Sequence, residues 1–239
     1  MKKLTAIIRT INYRYFFTEL LIVVAGILIA VMLNSWREDN SSRNREQFYL
    51  KSLKTDFHQS LASLNDIYNQ NLQSDSSVKR LVDVLHNNKK SLSLDTTKIF
   101  RHLFGFNRFV PSSGTYKEII STGSLQILSN AELRIALSSW DDMILRNRQL
   151  EDVEFWQYHL INVPYLNKHI VRSDFRTETD DQRTPRVYKT DFKKLFADPE
   201  FENILVNRGG AVEEADTYIQ IMIEHVKEII KMIDADIND

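Results

Sequence analysis

The chain has 239 residues, with 31 basic and 32 acidic side chains, 43% apolar residues and no cysteine. Those fractions belong to an ordinary folded protein and exclude a disordered chain, while the lack of cysteine excludes disulfide frameworks, zinc ribbons and thiol nucleophiles. With Lys2, Lys3, Arg9, Arg14 and Glu19 set aside, the remainder holds 27 basic and 31 acidic residues, a balance that argues against general nucleic-acid binding.

Residues 1–15, MKKLTAIIRTINYRY, place Leu4, Ile7, Ile8 and Ile11 on one helical face beside Lys2, Lys3 and Arg9. This basic amphipathic tail suits a membrane surface, and a frayed tail that only orients insertion fits equally. Residues 16–36 follow as one apolar run, FFTELLIVVAGILIAVMLNSW. As a helix the run rises roughly 30 Å at about 1.5 Å per residue, the hydrocarbon thickness of a bilayer. A cleaved signal would need small residues at its cleavage site, and the best candidate, ending at Ala30, puts Leu28 in that position. The expectation is therefore a retained single transmembrane helix in contact with the lipid bilayer. Tyr13, Tyr15 and Trp36 are placed for the two headgroup belts.

Arg37, Arg43, Arg45, Lys51 and Lys54 after the span balance the four cations before it, so charge counting alone does not orient it. The short basic N-terminus favours N-terminus in and the large domain outside. Thr18, Ile22, Gly26, Ala30 and Asn34 recur at four-residue steps and lay a small or polar residue at every turn but that of Ile22 along one side of the span. Gly26-x-x-x-Ala30 permits close helix approach in lipid, where there is no hydrophobic drive to pair helices. Glu19 is an intramembrane carboxylate, which reads as functional, with Arg14, a headgroup or a neighbouring subunit as its partner. A homo-oligomer or an envelope protein partner is the expectation.

Residues 37–239 read as a helical bundle domain. Leu50, Leu53, Phe57, Leu61, Leu64, Ile67, Tyr68 and Leu72 form one helical stripe, which SDSS at residues 74–77 is placed to break. Val78, Leu81, Val82 and Leu85 resume it before the unpatterned HNNKKSLS. A short helix capped by Asp95 and closed by Gly105 is expected next. Its aromatic continuation carries Phe100, Phe104, Phe106 and Phe109 beside Arg101 and Arg108. These rings form a lid over the core or, alternatively, line a ligand or partner patch.

SNAEL offers a capping box of Ser129 and Glu132. The stripe after it is Leu133, Leu137, Trp140, Ile144, Leu150, Val153, Trp156 and Leu160, with Asn147 as a polar interruption, and Pro164 kinks or ends the helix. Residues 172–191 lack a period and read as a mobile loop. Ile219, Met222, Ile223, Val226, Ile230, Ile233 and Ile237 form the last stripe. Three long stripes and no alternating segment predict an all-α fold: a transmembrane helix followed by an antiparallel long-helix bundle.

Chemistry-bearing motifs are sparse. The six histidines never fall at H-x-x-x-H spacing, and only Asp83 with His86 and His225 with Glu228 pair a carboxylate with an imidazole. NRGGAVEE, with Gly209 and Gly210, lacks the Lys-Ser/Thr of a phosphate loop and suits close packing or a turn. Asp141/Asp142, Asp180/Asp181 and Glu213/Glu214 diverge by about 100° if helical and read as solvated faces. No G-x-S-x-G elbow occurs. The sequence thus names no cofactor, metal or catalytic residue.

The segment YFFTELLIVVAGILIAVMLNSWRED, followed by REQFYLKSLKTDF, resembles the start of a domain-of-unknown-function family of bacterial single-pass membrane proteins. Its E-x(6)-G-x(3)-A-x(3)-N-x-W span is matched by Glu19, Gly26, Ala30, Asn34 and Trp36, and Thr115 to Leu137 resemble the family's second recurring segment. The resemblance implies a protein of the bacterial inner membrane with its C-terminal domain in the periplasm, and it carries over no catalytic residue. An interaction, scaffold or sensory role is the expectation. The alternatives are an accessory subunit or sensor holding a small ligand between helices, and a membrane-tethered hydrolase.

Overall fold

The computed structural model describes residues 13–86, 99–100, 107–171, 174 and 188–237. Among them there are helices and no strand. The elements are α1 (Tyr13–His86), α2 (Gly114–Ser121), a 3₁₀ turn (Ser124–Ile127), α3 (Ala131–Gln157), a π turn (Tyr158–Asn162), α4 (Val163–His169), α5 (Phe192–Leu195) and α6 (Pro199–Asp236). The helix capped by Asp95 and the middle of the loop over 172–191 lie outside the described residues. The chain divides into two compact units, Met1–Tyr49 and Leu50–Asp239. Residues 37–49, which the sequence assigns to the soluble domain, group with the apolar segment.

In the first unit α1 presents every residue from Phe16 to Trp36 to the surroundings. Its most apolar window has a mean hydropathy of 2.7, with no residue buried. It is long and apolar enough to cross a membrane.

The second unit is built on α1, α3 and α6. Lys54 pairs with Asp234, Gln220 donates to the Tyr68 hydroxyl, and His86 lies 2.8 Å from Glu202. Each step along α1 in this series is a step back along α6, so the two run antiparallel. The series from Asn130 with Asp236, through Tyr218 with the Met143 carbonyl, to Arg208 with Glu154 sets α6 antiparallel to α3 in the same way. Helices α1 and α3 are therefore parallel, joined by Phe57 and Trp140 at 5.9 Å between ring centroids.

Residues 74–77, SDSS, do not interrupt α1. Ser74 and Ser77 are buried, and the Ser77 hydroxyl donates to the Gln73 carbonyl at 2.8 Å. A serine bonded back into its own helix in this way is tolerated there. The cap of α3 is also shifted from the sequence expectation by one residue. Asn130, not Ser129, accepts from the backbone N–H groups of Glu132 and Leu133 at 2.9 and 3.1 Å, because its amide is also drawn to Asp236 of α6. Helix α6 opens on Asp198, whose carboxylate accepts from Glu200 N, with Pro199 in its first turn. Gly209 and Gly210 lie inside α6, and a Cβ at Gly209 would meet Val78 Cγ1 at 3.3 Å. The glycine permits close packing against α1.

One core surrounds Phe57, Tyr116, Leu137, Trp140, Met222 and Val226, all buried. The Tyr116 hydroxyl donates to the Leu137 carbonyl at 2.9 Å. A second cluster joins Val78 and Leu81 of α1 to Ile99, Phe100, Tyr165, Leu166, Phe201 and Leu205.

Candidate interaction surfaces

On α1 the four-residue steps bring Thr18, Ile22, Gly26, Ala30 and Asn34 along one side of the helix, and Glu19 sits beside Thr18; all are exposed. A Cβ added at Gly26 meets nothing within 4 Å. Asn34 donates to Glu38 Oε1 at 2.8 Å, so part of its amide serves its own helix. Thr18 also has a partner.

Of the aromatic patch, Phe100 and Phe109 are 3% and 2% exposed, which makes them core residues rather than an open surface. Phe100 stacks on Phe201 at 6.2 Å, and Phe109 meets Trp140 edge-on at 6.0 Å. Phe104 and Phe106 lie outside the described residues. Arg108, beside Phe109, pairs with Asp152 at 2.7 Å and sits 4.9 Å above the Phe155 ring. These contacts bind the connection between α1 and α2 to the second half of α3.

Helix α3 departs furthest from the sequence expectation. Its first half buries Leu133, Leu137 and Trp140 as expected. The same helical face then continues through Asn147 and Glu151, which are buried although polar. Glu151 Oε1 accepts from the Phe109 backbone N–H and from Asn147 Nδ2, each at 2.7 Å. Burial pushes the Glu151 carboxyl up, and those two hydrogen bonds and the nearby arginines oppose the shift. Its Oε2 is buried without a hydrogen-bond partner. Glu154, a step further, pairs with buried Arg208 of α6, whose guanidinium is pushed down to about 10 by desolvation. A polar layer thus separates the two apolar clusters.

Three side chains that the sequence places on the buried stripe point outward instead: Val153, Trp156 and Leu160 are 67, 56 and 67% exposed, and the neighbouring Ile161 is 52% exposed. The π turn over Tyr158–Asn162 widens the helix just ahead of Pro164 and sets Leu160 and Ile161 side by side in sequence on the outside. Covering a side chain of this size is worth roughly 1.5–3 kcal/mol, and a contiguous exposed group of them marks an interaction surface.

The histidine pairs expected from sequence are not the ones formed. His86 reaches Glu202 rather than serving Asp83, and His169 stacks on Tyr165 at 4.1 Å. His225 stacks on Trp140, with Nε2 at 3.0 Å from the Ala136 carbonyl and 3.2 Å from Ser139 Oγ. A carbonyl only accepts, so Nε2 carries the proton in that contact. It therefore has no lone pair for the Ser139 proton, and Ser139 donates to Ala136 at 2.9 Å instead. The pair is a helix-to-helix clamp, not a nucleophile with its base. Asp141, Asp142, Glu213 and Glu214 are exposed, as solvated faces are.

A family model described as a family of unknown function (DUF6090) matches residues 19–165, from Glu19 within the apolar segment to Tyr165 in α4. No curated protein and no solved structure matches the chain.

Proposed function

The chain belongs to the DUF6090 family of unknown function, and from the layout of the matched region we propose a membrane-anchored interaction protein of the bacterial envelope. In this reading residues 16–36 span the inner membrane, the short N-terminus is cytoplasmic, and the bundle works in the periplasm as a scaffold or sensory module without catalysis. The observation that carries it is the outward turn of Val153, Trp156, Leu160 and Ile161 in a bundle whose other long stripes are mostly buried. The partner is a protein, either an envelope component or a second copy of the chain. A small-ligand sensor would draw on the buried polar layer, but Glu151 does not line the surface groove between α3 and α6, where Leu150, Val153 and Glu154 face Ala211 and Glu214.

A photo-crosslinking side chain at Val153 or Leu160 of the full chain in living cells is expected to give a discrete protein adduct. The same group at exposed Asp66 on α1 should give none. Trp156→Asp should remove the adduct without lowering Tm. Equal labelling at all three positions would overturn the interaction reading. A periplasm-only reporter fused after Asp239 should be active, and the intact mass should retain Met1 or Lys2. A cytoplasm-only reporter active at that position would reverse the orientation, and a product beginning at Val31 would replace the anchor with a cleaved signal.

A further inference from the structure

From the end of α4, the extended stretch before α5, and α5 itself, three lysines line one groove. Lys168, Lys189 and Lys194 line it with Asn167, His169 and Tyr188. The two sides of the groove are tied at its base, where Val171 N donates to Thr190 Oγ1 at 2.9 Å and Thr190 N donates to Asp174 at 2.6 Å. No ammonium of the three forms an ion pair or hydrogen bond with a described residue. Lys194 acts on Asp198 only through its charge at longer range.

The described carboxylates nearby accept hydrogen bonds from other groups. Asp191, the one acid among the described lining residues, accepts from Lys194 N as the cap of α5. Asp198 accepts from the Tyr165 hydroxyl at 2.7 Å and from Glu200 N at 2.9 Å. Asp174 holds Thr190. Mutual repulsion among three unpaired cations in one concavity is unfavourable, and a concave surface focuses their field on whatever enters. This concentration of positive charge is set in a domain that is acidic as a whole.

We infer that the groove between α4 and α5 binds a soluble oligophosphate or phosphate ester through Lys168, Lys189 and Lys194. A lysine is a compact point charge with three rotatable donors, so several of them suit an oxyanion with many acceptor oxygens. A single carboxylate would leave at least one ammonium uncompensated. The groove lies at the N-terminal end of α6, about 55 Å along that helix, at about 1.5 Å per residue, from the end at which Asn130 meets Asp236.

The test is calorimetric titration of the full-length chain in neutral detergent with sodium pyrophosphate and tripolyphosphate at fixed ionic strength. Saturable binding at one site is expected, weakening as sodium chloride is raised. Joint substitution of the three lysines by glutamine should weaken it by about tenfold or more, as the loss of several point-charge contacts requires. Joint substitution by arginine should preserve it, and so should Lys117→Gln with Lys231→Gln at distant surface sites. Because all three lysines are exposed, Tm should not change. Absence of saturable binding, or equal affinity in the glutamine and distant-site variants, would overturn the assignment.

Discussion

Asn147 and Glu151 lie on the same helical face as Leu133, Leu137 and Trp140, and their polarity decides what the middle of the bundle can do. Glu151 gives one oxygen to Phe109 N and Asn147 and keeps the other buried without a hydrogen-bond partner. A buried carboxylate in this state favours its protonated form. The folded protein therefore holds this proton to a higher pH than the unfolded chain does. Between the two pKa values the folded state binds more protons, so this group's contribution to stability is fully present below the unfolded value, about 4.3, and is lost as pH rises through the folded one. Glu151→Gln keeps the accepting oxygen and removes the charge. We expect its Tm to exceed that of the native chain at pH 7.5, by an amount equivalent to about 1 kcal/mol, and the gap to close towards pH 4. A gap of equal size at both pH values would assign the effect to packing instead. Asp216 behaves alike, with its carboxyl pushed up by burial and one oxygen lacking a partner.

At the scale of elements, α3 shows what periodicity conveys and what it does not. The recurrence of Leu133, Leu137 and Trp140 locates the buried face correctly, and Asn147 falls on it in both sequence and structure. The stripe read onward through Val153, Trp156 and Leu160 drifts to the outer face, because the buried face continues through the polar Asn147 and Glu151. A buried glutamate and an exposed tryptophan invert the rule that period-based reading relies on. Only a partner for Glu151 from elsewhere in the chain, the Phe109 N–H, reveals the inversion, and a contact across that sequence distance has no local signal. In α1, by contrast, a stripe that resumes after Ser77 was legible, while the survival of the helix through four small polar residues was not. The two faces of α3 make a direct comparison. Leu137→Asp places an unpaired charge in the core and should cost about 3 kcal/mol or more. Val153→Asp should change stability by no more than about 0.5 kcal/mol, as an exposed substitution does. Urea unfolding of both variants checks this, and comparable losses would return Val153 to the core. Gly209→Leu, forced against Val78, should lose about 1–3 kcal/mol by overpacking α1 against α6.

The whole molecule combines an apolar helix whose residues 16–36 are all exposed and a bundle with a buried core, and the two ask for different partners. In the bundle Val153, Trp156, Leu160 and Ile161 gather exposed apolar side chains along the second half of α3 and the π turn, which suits a protein surface. Along residues 16–36 such side chains surround the helix, which suits lipid. Within lipid a second helix is held by close backbone approach and interhelical hydrogen bonds, since hydrophobicity no longer distinguishes partner from solvent. Gly26 and Ala30 offer that approach, with Glu19 one turn from Ile22 and open to a neighbour's donor. A Cβ at Gly26 meets no described residue outside its own stretch of helix within 4 Å. A larger side chain there leaves the isolated chain undisturbed, so any effect must come from outside it. Crosslinking in native membranes should therefore give an oligomer for the native chain and for Val24→Ile, a lipid-facing control. Glu19→Gln should weaken that oligomer, and Gly26→Ile should abolish it while circular dichroism and membrane retention are unchanged. If all four chains crosslink alike, the helix face does not drive assembly, and the outward residues of α3 must carry any self-association on their own.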